Sequence, residues 1–178
     1  IDKQVKLIEK LVNEFSDFAR MPKPIFKKTN LRKIVDECLK LMKINDNALK
    51  INLKSDDIIF IKADSEQINR VFINLIKNSI ESLNEKYQKN NEIIKKIFIE
   101  IYQINDYIEI SIIDNGTGFN TTNLSEISKP YFTTKKNGSG LGLSIVGKII
   151  NDHNGTIEFL NYKKGAKIKI TFPKINVS

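Results

Sequence analysis

Between Asp114 and Gly142 the chain carries two glycine clusters, DNGTG and GSGLG, separated by a polar segment that includes KPYFTTKK. No other stretch restricts the fold as tightly, because the flanking patterns fix the element type on each side. Ile108-Glu109-Ile110-Ser111-Ile112-Ile113 alternates largely as a half-buried strand does, so Asp114 is expected at a strand end. An ionised carboxylate there only accepts hydrogen bonds, which suits the exocyclic amine of adenine. Gly116 and Gly118 carry no Cβ, so the chain after Asp114 can turn sharply and let a flat base lie against it. Gly138, Gly140 and Gly142 lead into Leu141 to Val146, whose apolar spacing suits a helix. The N–H groups at such a helix start are suited to phosphate oxygens, and Lys135 and Lys136 add positive charge beside them. The whole describes a nucleotide pocket.

A second constraint lies upstream. Asp64 with Gln67 reads as a capping box opening the helix DSEQINRVFINLIKNSIESLNEKY, residues 64–87. Its apolar face is Ile68, Phe72, Leu75, Ile76, Ser79 and Leu83, and the opposite stripe is Asn74, Asn78, Glu81 and Glu85. Asparagine is a middling helix former, so two of them one turn apart ask for a reason. A side-chain carbonyl oxygen suits Mg²⁺, which takes few protein ligands and completes its octahedron with water and phosphate. The chain is rich in asparagine throughout, and taken alone the pair reads as surface.

Residues 1–21 place Ile1, Val5, Ile8, Val12, Phe15 and Ala19 four and three apart, as a heptad seam does, with Leu7, Leu11 and Phe18 widening the stripe. Such a helix requires a partner, and Pro22 and Pro24 stop it. Beyond it, Phe26 to Asn30 reads as a short strand, and Asn30 or Thr29 caps a helix reaching about Lys43. Ile51–Leu53 and Ile58–Ile61 read as strands joined by a turn at Ser55-Asp56-Asp57, and Glu85 to Lys96 as a polar connection. Ile97–Ile104 with Tyr107–Ile113, and Thr156–Leu160 with Ala166–Phe172, read as hairpins.

Composition narrows the function classes. The net charge of +8 comes from lysines scattered among Ile and Asn with no basic stripe, so nucleic acid is not the expected partner. The lone Cys38, in an apolar-periodic stretch, excludes an internal disulfide framework and reads as a buried thiol. No apolar run is long enough to span a membrane and no signal peptide is present, and the chain starts without Met inside a helical pattern. It is expected to be a piece of a larger protein. Gly142 to Lys148 fits GxxxxGK, but Ile149 stands where a P-loop needs Ser or Thr, and the intervening residues are helical in pattern.

NLIKN, DNGTG, FTTK and GSGLGL, in that order, resemble the N, G1, F and G2 boxes of the ATP-binding fold shared by sensor histidine kinases, type II topoisomerases, MutL and heat-shock protein 90. The resemblance covers residues 31–173, and LVNEFSDFARMPKP resembles the second helix of a histidine kinase dimerisation hairpin, most like the nitrogen-regulation sensor kinases of the NtrY type. It implies a two-layer α/β sandwich of the Bergerat type, a mixed, mostly antiparallel sheet with three helices on one face, preceded by one long hairpin helix. It implies hairpin helix at 1–21, linker and first strand at 22–30 and a catalytic ATP-binding domain at 31–178.

The resemblance also implies roles. Asn78 matches the Mg²⁺ ligand, Asn74 its neighbour one turn earlier, and Lys77 a phosphate contact. Asp114 matches the adenine-binding aspartate and Gly116 and Gly118 the turn beneath the base; Phe132, Thr133, Thr134 and Lys135 match the lid over the phosphates, with Lys135 beside Asn78 in the catalytic set. Gly138, Gly140, Leu141 and Gly142 match the second glycine box. Two departures stand out: Lys129 where such kinases commonly have Glu before Pro, and Gly165-Ala166 where many relatives have Gly-Thr. In hydrolytic members an acidic residue occupies the place of Asn74, which favours phosphoryl transfer here. The only histidine, His153, falls in a helix-ending turn and reads as structural, so the acceptor histidine is expected upstream of Ile1.

The implied function is transfer of the ATP γ-phosphate, with Mg²⁺, to a histidine on the dimerisation hairpin of the same parent protein and onward to a response regulator. The parent is expected to be a homodimer anchored in the bacterial inner membrane with this part in the cytoplasm. A serine kinase of the anti-sigma type shares the pocket but has no use for the preceding helix. A non-catalytic nucleotide-sensing or dimerisation module is the reading from outside catalysis.

Overall fold

The computed structural model describes residues 5, 8, 9, 12, 13, 15, 16, 19–42, 48–56, 58–89, 94–121, 123–133, 138–163 and 165–175. Their elements follow the order β1 (Lys27–Asn30), α1 (Leu31–Leu41), β2 (Leu49–Ser55), β3 (Phe60–Ala63), α2 (Ser65–Lys89), β4 (Lys95–Ile104), β5 (Tyr107–Asp114), a 3-10 turn (Leu124–Glu126), α3 (Gly142–Asp152), β6 (Thr156–Tyr162) and β7 (Gly165–Pro173). The main sheet has the order β2-β4-β5-β7-β6, with β2 parallel to β4 and the other pairs antiparallel.

Alternation along the strands decides the layering. Ile97, Ile99 and Ile101 of β4, Ile108, Ile110 and Ile112 of β5, and Ile168, Ile170 and Phe172 of β7 all turn to one side and are buried. Against them lie Val35 and Cys38 of α1, Ile68, Phe72, Leu75, Ile76 and Leu83 of α2, and Ile145, Val146, Ile149 and Ile150 of α3. Burial pushes the Cys38 thiol up to about 11, so it is an inert core residue. The other sheet face meets solvent, where Lys169 pairs with Glu109 at 2.8 Å. The two-layer sandwich with a mostly antiparallel sheet is therefore present.

Three local readings change. The strand read at 51–53 is longer, Leu49–Ser55, and the one read at 58–61 is shifted to Phe60–Ala63; β3 pairs with β1, and β2 joins the sheet edge beside β4. Alternation marks a strand but not its partner, and a parallel partner lies across a helix. The polar stretch from Glu85 begins as helix, through Lys89, because Lys86 and Tyr87 find partners: Lys86 at the loop after Asp114, and Tyr87 beneath the Lys95 ammonium at 4.3 Å. Helix α1, capped by Asn30 Oδ1 accepting from Lys33 N–H at 3.2 Å, runs to Leu41, close to the expected end.

The third change is at the start of α2. Asp64 Oδ1 accepts the N–H groups of Glu66 and Gln67, at 3.0 and 3.1 Å, as a cap should. Gln67 does not reach back to close the box; its Nε2 donates to Pro22 O at 2.9 Å. The Asp64 N–H instead donates to His153 Nε2 at 3.0 Å, while His153 Nδ1 donates to Ile149 O at 2.7 Å. These two bonds fix the Nδ1-protonated tautomer of a buried ring that ends α3, confirming His153 as structural. Asp64 Oδ2 accepts the Ile25 N–H at 2.9 Å, and Phe26 packs edge-on to His153 with centroids 5.1 Å apart. One junction thus joins the incoming segment to the start of α2 and the end of α3.

Residues 5, 8, 9, 12, 13, 15, 16 and 19 are helical, and Val5, Ile8, Val12 and Phe15 are exposed, as an unpartnered seam would be. Ile1, Leu7, Leu11 and Phe18 lie outside the described residues.

Asp64→Ala is expected to cost about 1–2 kcal/mol in urea unfolding at pH 7 through the lost cap. Burial alone would raise the Asp64 carboxyl, but the N–H groups of Ile25, Gln67 and Glu66, with His153, more than reverse it and hold it below the usual range. A lowered carboxyl contributes stability above its unfolded pKa and loses it as pH falls through the folded one, so the penalty should shrink on acidification below about pH 4. A penalty independent of pH would contradict the role of the charge. Gly165→Ala would drive its Cβ into the carbonyl oxygen of Asp114, and a loss of about 1–3 kcal/mol is expected in the same assay.

Candidate active site

The inward phase of β5 carries Ile108, Ile110 and Ile112 into the core, and two residues on it carries Asp114 the same way. Its side chain is 5 % exposed. Ser79 Oγ, from the buried face of α2, donates to Asp114 Oδ2 at 3.0 Å, and Gly116 N–H donates to Oδ1 at 2.9 Å. Burial pushes the carboxyl above its ordinary value, partly offset by the Gly116 N–H, Ser79, the Ala166 N–H and the Lys86 charge. The result is an acceptor at the end of the central strand, held by donors from α2, its own loop and β7.

The loop after Asp114 is fastened on both sides. A Cβ at Gly116 would overlap Ser82 Oγ, so only glycine permits this approach to α2. Ser82 Oγ accepts the Thr117 N–H at 2.9 Å, and Lys86 Nζ donates to the carbonyls of Asn115 and Gly116 at 2.5 and 2.6 Å. Asn115 Oδ1 accepts the Lys96 N–H at 2.7 Å, tying the loop to β4. On the other side Asn161 Oδ1 accepts the Phe119 N–H at 2.7 Å, and Phe119 meets Phe159 edge to face at 5.6 Å. Gly118 takes φ +74°, as the expected turn requires, whereas Gly116 is needed for the close approach and not for a positive φ.

The second glycine cluster leads into α3 as expected. Gly140 has φ +69° and packs on the backbone of Tyr131, whose N–H donates to Gly140 O at 3.1 Å; Tyr131 itself has φ +66°. Leu141 is buried, and the N-terminus of α3 has no side-chain cap. Among the described residues no side chain caps the first N–H groups of α3, which suit an acceptor from outside the helix. A Cβ at Gly142 would press on Asn74 Oδ1 at 3.1 Å, so the first turn of α3 abuts the asparagine stripe of α2. Asn74 Nδ2 donates to Arg70 O at 2.8 Å. Asn78, half-buried, lies one turn further along α2 and next to Ser79, and Lys77 is exposed.

The lid is described in part. Phe132 is half-buried against the core and Thr133 is exposed, while Thr134 and Lys135 lie outside the described residues. Gly138 is half-buried. The GxxxxGK match is helix, with Lys148 paired to Asp152 at 2.7 Å. Reading the sequence missed Ser79, Ser82, Lys86 and Asn161. A serine on an otherwise apolar helix face was the available signal for Ser79; the others carry none.

These features fit an adenine nucleotide: a buried acceptor behind a glycine that admits no side chain, and an uncapped helix start beside Asn74. The model of the histidine kinase-, DNA gyrase B-, and HSP90-like ATPase family matches residues 63–176. Nitrogen regulation protein NtrY of Azorhizobium caulinodans is 32 % identical over 96 % of this chain and 22 % of its own. A putative sensor histidine kinase, NtrY-like, of Rickettsia felis is 36 % identical over 93 % of this chain and 27 % of its own. The chain thus spans about a quarter of the length of these relatives. Among solved structures, the catalytic domain of histidine kinase ThkA, nucleotide free, superposes with TM-score 0.73 and 30 % identity over 84 % of this chain and 96 % of that one. ThkA in complex with response regulator protein TrrA gives TM-score 0.79 and 25 % identity over 98 % of this chain and 49 % of that one. The chain belongs to the histidine kinase-, DNA gyrase B-, and HSP90-like ATPase family, and the relatives it matches include NtrY and a putative NtrY-like sensor histidine kinase.

Proposed function

We propose that this chain is the ATP-binding catalytic part of a sensor histidine kinase and transfers the ATP γ-phosphate to a histidine on the dimerisation hairpin of its parent protein. The observation that carries the reading is the buried Asp114 carboxylate, set by Ser79 and Gly116 at the end of β5. In this reading Asp114 accepts the adenine amine, and the loop 115–118 lies along the base. The open N-terminus of α3, with Gly138, Gly140 and Gly142, receives phosphate oxygens, assisted by Lys77 and by Lys135. Asn78 offers a side-chain oxygen to Mg²⁺, which when bound neutralises charge on the phosphates.

Two observations bear on the type of reaction. Asn74 stands where a hydrolytic relative would need a base, and its amide does not ionise, with Nδ2 bonded back to Arg70 O. That favours transfer to a protein over attack by water. The exposed helical residues Val5, Ile8, Val12 and Phe15 supply the seam that a hairpin partner would cover, in keeping with a hairpin helix at 1–21, a linker through residue 30 and a catalytic domain from residue 31. A homodimeric parent, a response regulator as final acceptor and an inner-membrane anchor outside this chain complete the reading. Among the described residues no helix is long and apolar enough to cross a membrane.

Transfer of labelled γ-phosphate from Mg-ATP to a separately supplied hairpin bearing the acceptor histidine tests the assignment. Acid-labile, alkali-stable label is expected on the hairpin. Asp114→Asn should weaken ATP about 10- to 100-fold, since a charge-assisted hydrogen bond is lost. Asn78→Asp should suppress transfer at saturating ATP. ATP binding without any label on the hairpin would rule out the histidine kinase assignment and leave a different acceptor or a sensing module.

A further inference from the structure

Ser79 occupies a position that packing alone would give to an apolar residue. It lies on the buried face of α2 between Ile76 and Leu83 and is 2 % exposed. A hydroxyl there must be satisfied, and among the described residues its partner is Asp114 Oδ2, at 3.0 Å. Gly116 N–H holds Oδ1 at 2.9 Å and the Ala166 N–H of β7 also reaches the carboxyl, so the Asp114 carboxylate is gripped from three directions. The grips of Gly116 and Ser79 differ in kind. The Gly116 donor belongs to the same loop and moves with Asp114, whereas Ser79 belongs to α2, across the base of the pocket.

A buried carboxyl that gained a proton would present a donor, and a donor facing the 6-amino group of a purine repels it. A carboxylate free to rotate would lose the geometry that accepts the amine. Resting on the adenine-site reading above, we propose that Ser79 is a positioning residue that fixes the Asp114 carboxylate as an acceptor and thereby sets the selectivity of the site for 6-aminopurine nucleotides. Ser79 acts through Asp114 and need not touch the base. Its neighbour Asn78 faces the phosphate side in the same reading, so adjacent residues of α2 would serve opposite ends of one ligand.

The test separates this role from packing. Binding of Mg-ATP and of the Mg complex of purine riboside triphosphate, which has the same sugar and phosphates but no 6-amino group, is measured by calorimetry for the native chain, Ser79→Ala and Ser79→Cys. The native chain should prefer ATP. Ser79→Ala should reduce that preference about tenfold, nearly all of it through weaker ATP binding, as expected for one charge-assisted hydrogen bond. Ser79→Cys, similar in size and a weak donor, should fall between, and thermal melts establish that each variant is folded. Equal weakening of both nucleotides, or an unchanged ratio in folded Ser79→Ala, would overturn the role of Ser79 while leaving the adenine site intact. A native chain that binds both nucleotides alike would overturn the adenine reading itself, and the proposal with it.

Discussion

Everything around the candidate site depends on keeping a carboxylate charged in a buried place. Removing such a group from water costs several kcal/mol even after relaxation, and each charge-assisted hydrogen bond returns about 1.5–3 kcal/mol. Asp114 collects donors from three directions: Ser79 on α2, Gly116 on its own loop and the Ala166 N–H on β7. Each donor is also a structural join. Satisfying the charge requires α2, the end of β5 and the start of β7 to meet at one point, and Gly116 and Gly165 lack side chains where those joins are tightest. The burial still leaves the carboxyl above its ordinary value, so one more donor, such as an amine, finds an acceptor whose charge is not fully compensated.

A second join sets the pair of helices that frames the other half of the pocket. The first turn of α3 touches Asn74, while its last residues reach the start of α2 through His153 and Asp64. From Asp64 to Asn74 the helix rises about 15 Å, and an 11-residue α3 rises about 16 Å. The two therefore run antiparallel side by side, pinned at both ends. The segment that leads in from the N-terminal helix attaches at the end of this pair remote from the glycines, through Ile25 to Asp64 and Pro22 to Gln67. The incoming segment and the glycine-rich start of α3 thus lie at opposite ends of one helix pair.

The parts of this arrangement legible in the sequence were those written locally. Alternation gave β5 and placed Asp114 at its end; the glycines marked the loop and the entry to α3; the lone histidine read as a turn residue and is one. What was not legible is pairing. Asp64 announces a cap, but the residue three further on goes to Pro22, because the N–H it would have taken is already held by His153 from 89 positions away. The partner of β3 is β1 and not the neighbouring β2, and Lys86 sits in a stretch whose composition reads as linker. Ser79 was visible as an oddity, a hydroxyl among Ile, Leu and Phe, but its meaning depends on Asp114 lying 35 positions downstream.

The departure at Ala166 gains a sense from the same geometry. Where the resemblance leads to an expectation of Gly-Thr this chain has Gly165-Ala166, and a methyl group cannot donate. The backbone is unaffected: Gly165 still allows the strand to press against Asp114, and the Ala166 N–H still reaches its carboxyl. What is absent on the strand side is a hydroxyl, and a hydroxyl does reach the carboxylate here from the helix side, through Ser79. A buried acid is indifferent to which element its donors come from, provided their number and direction suffice. The donor set at Asp114 is therefore the quantity to compare between such sites, and residue identity at a single motif position is a poor substitute for it.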